Sequence, residues 1–377
     1  MIASMNAELK PFEDLAAQFA AKELSSKREE HDAYPFGPFF GDVLDKAYEI
    51  GLLGITLPEE LGGIGRGIGA LSVILESICR VDASLGGIIF ATTVAQQIIL
   101  ESGSTKVLAS VTKNAGNAGD FLIAFPAFNN PSEIPHLIYA RKEKSKYILF
   151  GELEYVVLGG IAGHCLIPAQ VRGERGYSFF LVDLSDKNIT RSEPVLSLGL
   201  HACPAVDTKF NDVEGILVGK EGDGNLSFEK TADRMHVAAA AMSAGIMKGS
   251  FDEALAYSRE RFQGGREIVN WSEVRMILSN MAVTINVSEM ALRQACRAAE
   301  ENEAGWEQNA LASAIYIQGA ACDLTTDGIQ LLGGYGYMKD YGQEKRFRDA
   351  KHVQALLGMV PMKRLKYIER VIDGVDR

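Results

Sequence analysis

The sequence has few of the residues that mark metal-binding, disulfide-linked or nucleic-acid-binding proteins. Its 377 residues include five cysteines and six histidines, and no two cysteines have the close spacing of a metal-ligand pair. We therefore expect reduced cysteines and no bound metal. Acidic residues outnumber basic ones by 49 to 38, which gives a net charge of -11. That charge argues against binding to nucleic acid or to an anionic membrane.

The pattern of charge and hydropathy also shows neither a membrane span nor a secretory signal. The longest uncharged stretch, from Ser84 to Leu100, is shorter than a span and is interrupted by threonines and glutamines. We expect it to form a buried helix. The amino terminus lacks a basic start followed by an apolar run. These features predict a cytoplasmic protein.

Hydrophobic periodicity divides the chain into three parts. Apolar residues recur at helical spacing in residues 1–118 and again in residues 223–377. Residues 119–222 instead contain short β-rich runs separated by Gly, Asp, Asn and Pro. We predict a mostly α protein with a helical first domain, a central β domain and a carboxy-terminal helix bundle.

A search for catalytic motifs finds one unusual segment. No phosphate-binding loop, zinc-binding H-E-x-x-H or nucleophile elbow is present. The segment Gln330–Tyr337 reads QLLGGYGY and follows a strongly periodic helix. Its glycines fit a helix cap, where positive φ is common, and they would also let a phosphate approach backbone amides. The residues alone favour the cap and leave ligand binding open.

This segment resembles the acyl-CoA dehydrogenase pattern Q-x-x-G-G-x-G-Y, which is followed by E-[KR]-x-x-R-D-A-K. Further blocks agree in order along almost the whole chain: IGLLGITLPEELGG, RVDAS, LGLHACPAVDTKFNDVEG, GKEGDG and YSRERFQGGREI. The resemblance implies a helical first domain, a middle β-barrel or sandwich and a carboxy-terminal four-helix bundle. It also implies an oxidoreductase that uses FAD to dehydrogenate an acyl-CoA thioester between its α and β carbons.

The resemblance further implies a particular assembly. Such proteins form tetramers built from two dimers, and each FAD lies at a dimer interface. The flavin ring rests on the β domain of one subunit, and the ADP half is held by the neighbour's carboxy-terminal domain. A glutamate removes the α-proton, the β-hydrogen passes to the flavin as hydride, and electron-transferring flavoprotein is the usual acceptor.

The glutamate base is absent from both of its usual positions. In the family it lies in Y-E-G-T after R-D-A-K, where this chain has Leu357. Other members carry it on the helix of residues 230–250, where this chain has Met235. Neither side chain accepts a proton. Asp233 remains as a candidate base, although an acid in a first helical turn also favours the helix dipole.

The positions that contact the flavin ring have also changed. Pro126 replaces a hydroxyl donor, and Tyr155 and Val157 replace the Trp and Thr of a W-I-T-N strand. Met359 stands where a threonine follows the base. We call these four residues the ring positions. Together they suggest a degenerate isoalloxazine pocket.

The residues that would hold the ADP half are mostly retained. Gly264 replaces an aromatic residue, but the other matching positions keep the family pattern: Arg261, Gln263, Gln330, Gly333 and Gly334. On the substrate side, Ser132 matches a serine near cofactor phosphate and substrate, and His236 replaces an arginine near substrate. A histidine on a helix face is more often structural.

We therefore expect the base-less subunit of a heteromeric acyl-CoA dehydrogenase, with two copies of each of two related chains. Such a complex would bind acyl-CoA and hold fewer than one FAD per chain. One alternative is a homo-oligomeric flavoenzyme with a relocated base such as Asp233, or with altered chemistry. Another is a non-catalytic structural pseudoenzyme.

Overall fold

The first part of the chain is helical. The computed structural model describes residues 2–33, 41–134 and 138–375. Its first seven helices are α1 Ile2–Glu23, α2 Arg28–Asp32, α3 Gly41–Glu49, α4 Ile68–Cys79, α5 Ala83–Glu101, α6 Thr105–Thr112 and α7 Ala118–Phe121. Their apolar faces pack into a core that is continuous with the rest of the protein, and burial of this apolar surface stabilises the arrangement.

Helix α5 lies at the centre of this first domain. Asp82 caps it by accepting a hydrogen bond from the Ser84 amide at 2.8 Å, which satisfies a backbone donor that the helix leaves free. By length and composition the helix is apolar enough to cross a membrane, but 89% of that window is buried inside the protein. It is the buried helix that the sequence predicts.

The middle of the chain forms a small closed barrel. Its strands are β1 Ile123–Ala124, β2 Ile138–Glu143, β3 Lys146–Val157, β4 His164–Val171, β5 Ser178–Asp183, β6 Ile189–Arg191 and β7 Ala205–Val218. Strand β4 pairs with both β2 and β5, and the order β4-β2-β3-β7-β5 returns to β4. Strand β1 lies beside β4 and pairs with it in parallel, and β6 pairs with β7.

Helices return after the barrel and surround one long helix. The elements are α8 Gly224–Glu260, a hairpin of β8 Phe262–Gln263 and β9 Arg266–Glu267, α9 Ser272–Glu300, α10 Trp306–Leu332, α11 Gln343–Val353 and α12 Val360–Val375. Helix α8 packs on α4, α5, α9, α10 and α11. A Cβ at Gly245 would lie 2.3 Å from the Glu76 carbonyl oxygen, so α4 and α8 can approach this closely only at a glycine.

A buried ion-pair cluster joins the first domain to the last. Lys345 of α11 places its Nζ 2.7 Å from Asp349 and 3.3 Å from the α5 cap Asp82. Each of these side chains is at most 5% exposed. Asp349 also accepts a hydrogen bond from the Leu200 amide at 2.8 Å. Carboxylates and an ammonium this deeply buried are tolerated because they neutralise one another.

The predicted architecture of helices, a β domain and helices is confirmed. The predicted β runs at 147–150 and 208–210 lie within described strands, and those at 155–158 and 177–184 do so in most of their length. The pattern did not single out β1, β2, β4 and β6. All five cysteines are buried and free, as expected. The division into domains after residues 118 and 222 stays a prediction.

Candidate functional site

A cavity lies between the end of α8 and the end of α10. It has a volume of about 510 Å³, and its lining includes the five residues that the sequence matches to an ADP site, namely Arg261, Gln263, Gln330, Gly333 and Gly334. We call it the α8–α10 pocket. Residues that lie about 70 positions apart in the sequence thus meet in one place.

The α10 end of this pocket exposes backbone. Gly333 has a φ of +59°, a conformation that glycine adopts without strain. A Cβ at Gly333 or Gly334 would find no atom within 4 Å. The backbone there is open to an incoming group, so both readings of the glycine segment hold: it ends the helix, and it leaves room for a ligand.

The α8 end carries the charge and the aromatic surface. The Arg261 guanidinium lies 5.4 Å from the centroid of the Tyr335 ring, and Tyr335 also contacts Tyr257. Stacking of this kind holds the planar guanidinium in place while its N–H donors stay available. An arginine fork beside amide side chains and free backbone can bind a phosphate or pyrophosphate.

The ring positions have a different environment. Val157 and, at the base position, Leu357 are 1% and 3% exposed, and Pro126 is also buried. Phe125 and Val157 exchange two backbone hydrogen bonds of 3.0 and 3.1 Å. The Leu357 amide donates to the Ala127 carbonyl at 2.9 Å. Of the ring positions, Met359 is the exposed one, at 56%.

A bulge in β3 turns Tyr155 toward α11. Tyr155 has a φ of +55°, the strand register shifts between Leu153 and Val156, and the Tyr155 amide donates to the Asp207 carboxylate at 2.9 Å. Bulges re-aim a side chain in this way. The Tyr155 hydroxyl lies 2.8 Å from Nε2 of His352, and burial raises the pKa of Tyr155 to about 12.

Phe128 and His352 complete a cluster with this tyrosine. The Phe128 and His352 rings are 4.3 Å apart, and Phe128 meets Tyr155 edge-on at 5.6 Å. Nδ1 of His352 accepts from the Gly199 amide at 3.2 Å, so Nε2 carries the proton and donates to Tyr155. Burial lowers the pKa of His352, which keeps the ring neutral. The cluster is a packed unit made of the chain's own side chains.

Asp233 is engaged by cations of α12. Its Oδ1 lies 2.7 Å from Arg370 and 3.7 Å from Lys366. Burial raises the pKa of Asp233, and Lys366 and Arg370 oppose that change. A carboxylate held in this way would have to leave Arg370 before it could accept a proton from a substrate. Met235, at the second base position, is 1% exposed.

His236 and Ser132 do not lie in one site with the α8–α10 pocket. His236 is 2% exposed, and its Nδ1 has no hydrogen-bond partner among the described residues. Ser132 is exposed, and its hydroxyl donates to Asn225 at 2.9 Å. Neither residue is in the pocket lining. Their roles toward a substrate stay predictions.

Two models of protein families match the chain. One is described as "Acyl-CoA dehydrogenase, N-terminal domain" and matches residues 6–111, and the other as "Acyl-CoA dehydrogenase, C-terminal domain" and matches residues 222–371. The chain belongs to the acyl-CoA dehydrogenase family. The predicted family and its class, flavin-dependent oxidoreductases, are therefore confirmed.

Similar proteins span nearly the whole chain. A short-chain-specific acyl-CoA dehydrogenase of Clostridium acetobutylicum is 28% identical over 363 residues, which is 93% of each protein. The CarC subunit of the caffeyl-CoA reductase-Etf complex of Acetobacterium woodii is 25% identical over 348 residues, covering 89% of this chain and 91% of that one.

Solved structures agree in fold. A chain of the structure titled for the electron transferring flavoprotein of Acidaminococcus fermentans has a TM-score of 0.86 and 27% identity, and the match covers 97% of both chains. Butyryl-CoA dehydrogenase of Megasphaera elsdenii has a TM-score of 0.85 and 21% identity, covering 97% of this chain and 98% of that one. The three-part fold is therefore that of an acyl-CoA dehydrogenase.

Acyl-CoA dehydrogenases use FAD, and the two halves of this chain's candidate site fit FAD unequally. The α8–α10 pocket offers an arginine, amide side chains and open backbone, which suit a pyrophosphate. The ring positions Pro126 and Val157 are buried and offer no hydroxyl donor. The residues present suit the ADP half of the cofactor and do not suit its ring.

Several residues of the candidate site were missed from the sequence. Tyr257 lines the pocket four residues before Arg261, and i to i+4 spacing on a helix could have revealed it. Tyr335 also lines the pocket and follows Gly334 directly. Outside the pocket, Lys363 is buried at 4% exposure and donates to Gln318 and to the Gln354 carbonyl; no sequence signal marked it. Burial lowers the pKa of Lys363 to about 7.

The described residues contain no group of three or more His, Cys, Asp or Glu side chains that could hold a metal ion.

We expect His236→Leu to make stability less dependent on pH. Burial, with Lys363, Lys366 and Arg370 nearby, lowers the pKa of His236 well below 6.5. The unfolded chain therefore binds the proton first as pH falls, and the stability present above pH 6.5 is lost at lower pH. The substitution should reduce the slope of unfolding free energy against pH by up to about 1.4 kcal/mol per pH unit.

Urea unfolding between about pH 7 and pH 5 measures this slope. His201→Gln is the matched control and should change the slope in the opposite direction. Burial lowers the pKa of His201, but the Asp32 side chain outweighs it and raises that pKa. The stability that His201 contributes is present below pH 6.5 and is lost as pH rises through the folded pKa, so its removal should steepen the slope of unfolding free energy against pH. An unchanged slope in His236→Leu would contradict the burial argument.

Proposed function

We propose that this chain is the base-less subunit of a heteromeric FAD-dependent acyl-CoA dehydrogenase. Its α8–α10 pocket binds the ADP half of an FAD. A related subunit binds the ring of that FAD and carries the catalytic glutamate. The observation that carries the proposal is the contrast between an open pocket containing Arg261 and Gln330 and buried positions at Val157 and Leu357.

The burial of the ring and base positions supports the first half of this proposal. The side chains of Val157 and Leu357 are almost fully buried, and the Tyr155 hydroxyl is hydrogen-bonded to His352. Turning Tyr155 away to admit a flavin ring would break that bond, and such a bond stabilises the folded state by about 0.5–1.5 kcal/mol.

The chemistry divides between the two subunits accordingly. A bound FAD would supply the acceptor for the β-hydrogen, which leaves the acyl-CoA as a hydride. The glutamate of the related subunit takes the α-proton, since Leu357 cannot and Asp233 is paired with Arg370. Arg261 and the exposed backbone at Gly333 bind and orient the pyrophosphate of the cofactor. This chain therefore contributes binding and assembly, and its relative contributes the proton transfer.

Acyl-CoA is the proposed substrate, and an electron-transferring flavoprotein is the proposed acceptor. Support comes from the names of similar proteins, which include a CoA-ester reductase complex with Etf and a structure titled for an electron transferring flavoprotein. We propose a complex of two copies of each chain, located in the cytoplasm.

Counting flavin tests the proposal. The full chain is purified alone and also after co-expression with a related chain that carries an intact Y-E-G-T. FAD released on denaturation is measured by absorbance, and the mass of the complex by native mass spectrometry. We expect no retained FAD in the chain alone and half as many FAD molecules as chains in the complex. One FAD per chain in the isolated protein would show a homo-oligomeric flavoenzyme instead.

Two substitutions sharpen the assignment of the base. Leu357→Glu in this chain should leave the activity of the complex unchanged, whereas replacing the glutamate of the related chain by glutamine should abolish it. A gain of activity in Leu357→Glu alone would mean that this chain holds a flavin ring after all. Normal FAD content without any acyl-CoA oxidation would favour a pseudoenzyme.

A further inference from the structure

A second cavity lies where the first helices of the chain meet the carboxy-terminal helices. Helices α1, α4, α8 and α9 line it, and its volume is about 300 Å³, which is within the range of small-molecule sites. We call it the α4–α9 cleft. Its described lining shares no residue with that of the α8–α10 pocket. The two cavities are therefore separate places in the fold.

The floor of the α4–α9 cleft is deeply buried. Ser72 of α4 and Leu292 and Cys296 of α9 line it and are 2%, 4% and 6% exposed. The Ser72 hydroxyl has no nitrogen or oxygen partner among the described residues, and the Cys296 thiol beside it is a weak partner. Buried hydroxyls are normally hydrogen-bonded. This one is free to bond a polar group of a ligand.

The mouth of the cleft carries two arginines. Arg80 follows α4 directly, and Arg293 lies on α9; both line the cleft, and their side chains are 52% and 57% exposed. Nε of Arg80 donates to Asp252 at 2.6 Å, and Arg293 lies 3.6 Å from Glu289. A guanidinium has more N–H donors than these contacts use, so both arginines can still donate to an anion.

The charge of the lining favours an anion. Lys248 of α8 is ion-paired with Glu76 of α4 and Glu289 of α9, so these three side chains largely neutralise one another. Cations outnumber carboxylates in the lining by four to three, although the whole chain has a net charge of -11. A small ligand with one negative charge would complement this local excess.

The spacing of the polar groups along α4 indicates the length of the ligand. Ser72 and Arg80 are eight residues apart in the sequence, which corresponds to about 12 Å of helix. Val73 and Leu292 add apolar surface to the lining. We propose that the α4–α9 cleft binds a short aliphatic hydroxy acid, with its carboxylate at Arg80 and its hydroxyl at Ser72. This site is additional to the proposed function and uses none of its residues.

Three probes of equal chain length test the proposal. The full chain is titrated in a calorimeter with ω-hydroxyhexanoate, with hexanoate, which lacks the hydroxyl, and with hexanediol, which lacks the carboxylate. We expect ω-hydroxyhexanoate to bind about 2- to 13-fold more tightly than hexanoate, as one neutral hydrogen bond predicts. It should bind about 10- to 150-fold more tightly than hexanediol, because a bond to a charged group is stronger.

Two substitutions remove the same contacts from the protein. Ser72→Ala should give ω-hydroxyhexanoate and hexanoate equal affinities, and it should fold, because it deletes a hydroxyl that has no nitrogen or oxygen partner. Arg80→Ala should lower the affinity for ω-hydroxyhexanoate to that for hexanediol. Arg261→Ala is the matched control, since Arg261 also follows a helix directly but lines the other cavity; it should bind all three probes like the parent chain. Circular dichroism checks the fold of each variant.

The contrary outcomes are equally specific. Absence of binding heat with ω-hydroxyhexanoate would overturn the proposal, and so would equal affinities for the three probes in the parent chain. Loss of binding in Arg261→Ala would place the probe in the α8–α10 pocket and would overturn it as well. None of these results bears on the proposed FAD contact, because no step of the proposed function uses the α4–α9 cleft.

Discussion

Lys345→Ala should lower the free energy of unfolding by about 3–5 kcal/mol. Lys345 lies between Asp82 and Asp349, and all three side chains are almost fully buried. Removal of the ammonium leaves two buried carboxylates without the cation that contacts both of them. The loss exceeds that of one hydrogen bond, because the cost of burying each charge is then no longer offset.

Urea unfolding followed by circular dichroism measures this loss. Lys209→Ala is the matched control, since Lys209 pairs with Glu152 at 2.6 Å on the surface, where the two side chains are 53% and 67% exposed. Water screens that pair, and its removal should have little effect. Equal effects of the two substitutions would mean that the buried cluster does not hold the first and last domains together.

Arg261→Ala should weaken ADP binding to the chain by about 10- to 150-fold. A hydrogen bond to a charged group contributes about 1.5–3 kcal/mol, and each 1.4 kcal/mol is about tenfold in affinity. Arg261 is the only arginine or lysine among the described residues that line the pocket. In the proposed complex the same substitution should deplete FAD and activity together.

Isothermal titration calorimetry measures the affinity, and flavin absorbance the FAD content. Arg259→Ala is the control, because Arg259 is exposed in the last turn of the same helix and is not in the pocket lining. It should bind ADP like the parent chain. Arg261→Lys keeps the charge and loses the fork, so it should recover part of the affinity. Parent-like affinity in Arg261→Ala would exclude Arg261 as a phosphate contact.

Sequence patterns predicted the structure correctly where the pattern lies within a single helix or segment. The long uncharged stretch predicted α5, helical periodicity predicted the region of α10, and the pattern around Gly333 predicted residues that do lie around one pocket. Strand β4 was missed because Pro168 stands within it, and proline usually argues against a strand. Strand β2 was missed because half of it is charged.

Other features depend on contacts that a linear pattern does not contain. The approach of Trp271 to Gly264 requires the hairpin to fold before the two positions meet. The contact of Tyr155 with His352 depends on a bulge and on a residue almost 200 positions away. The pairing of Asp233 with Arg370 likewise joins α8 to α12, and only tertiary structure shows that this carboxylate is already engaged.

Under the proposed function, the open α8–α10 pocket makes FAD binding depend on the concentrations of both subunits. A cofactor whose two halves touch different chains binds the pair more tightly than either chain alone, so FAD binding and subunit association are linked equilibria. Dilution of the complex would release flavin, and added FAD would draw separated subunits together. Cells short of riboflavin would then lose the assembled enzyme as well as its redox group.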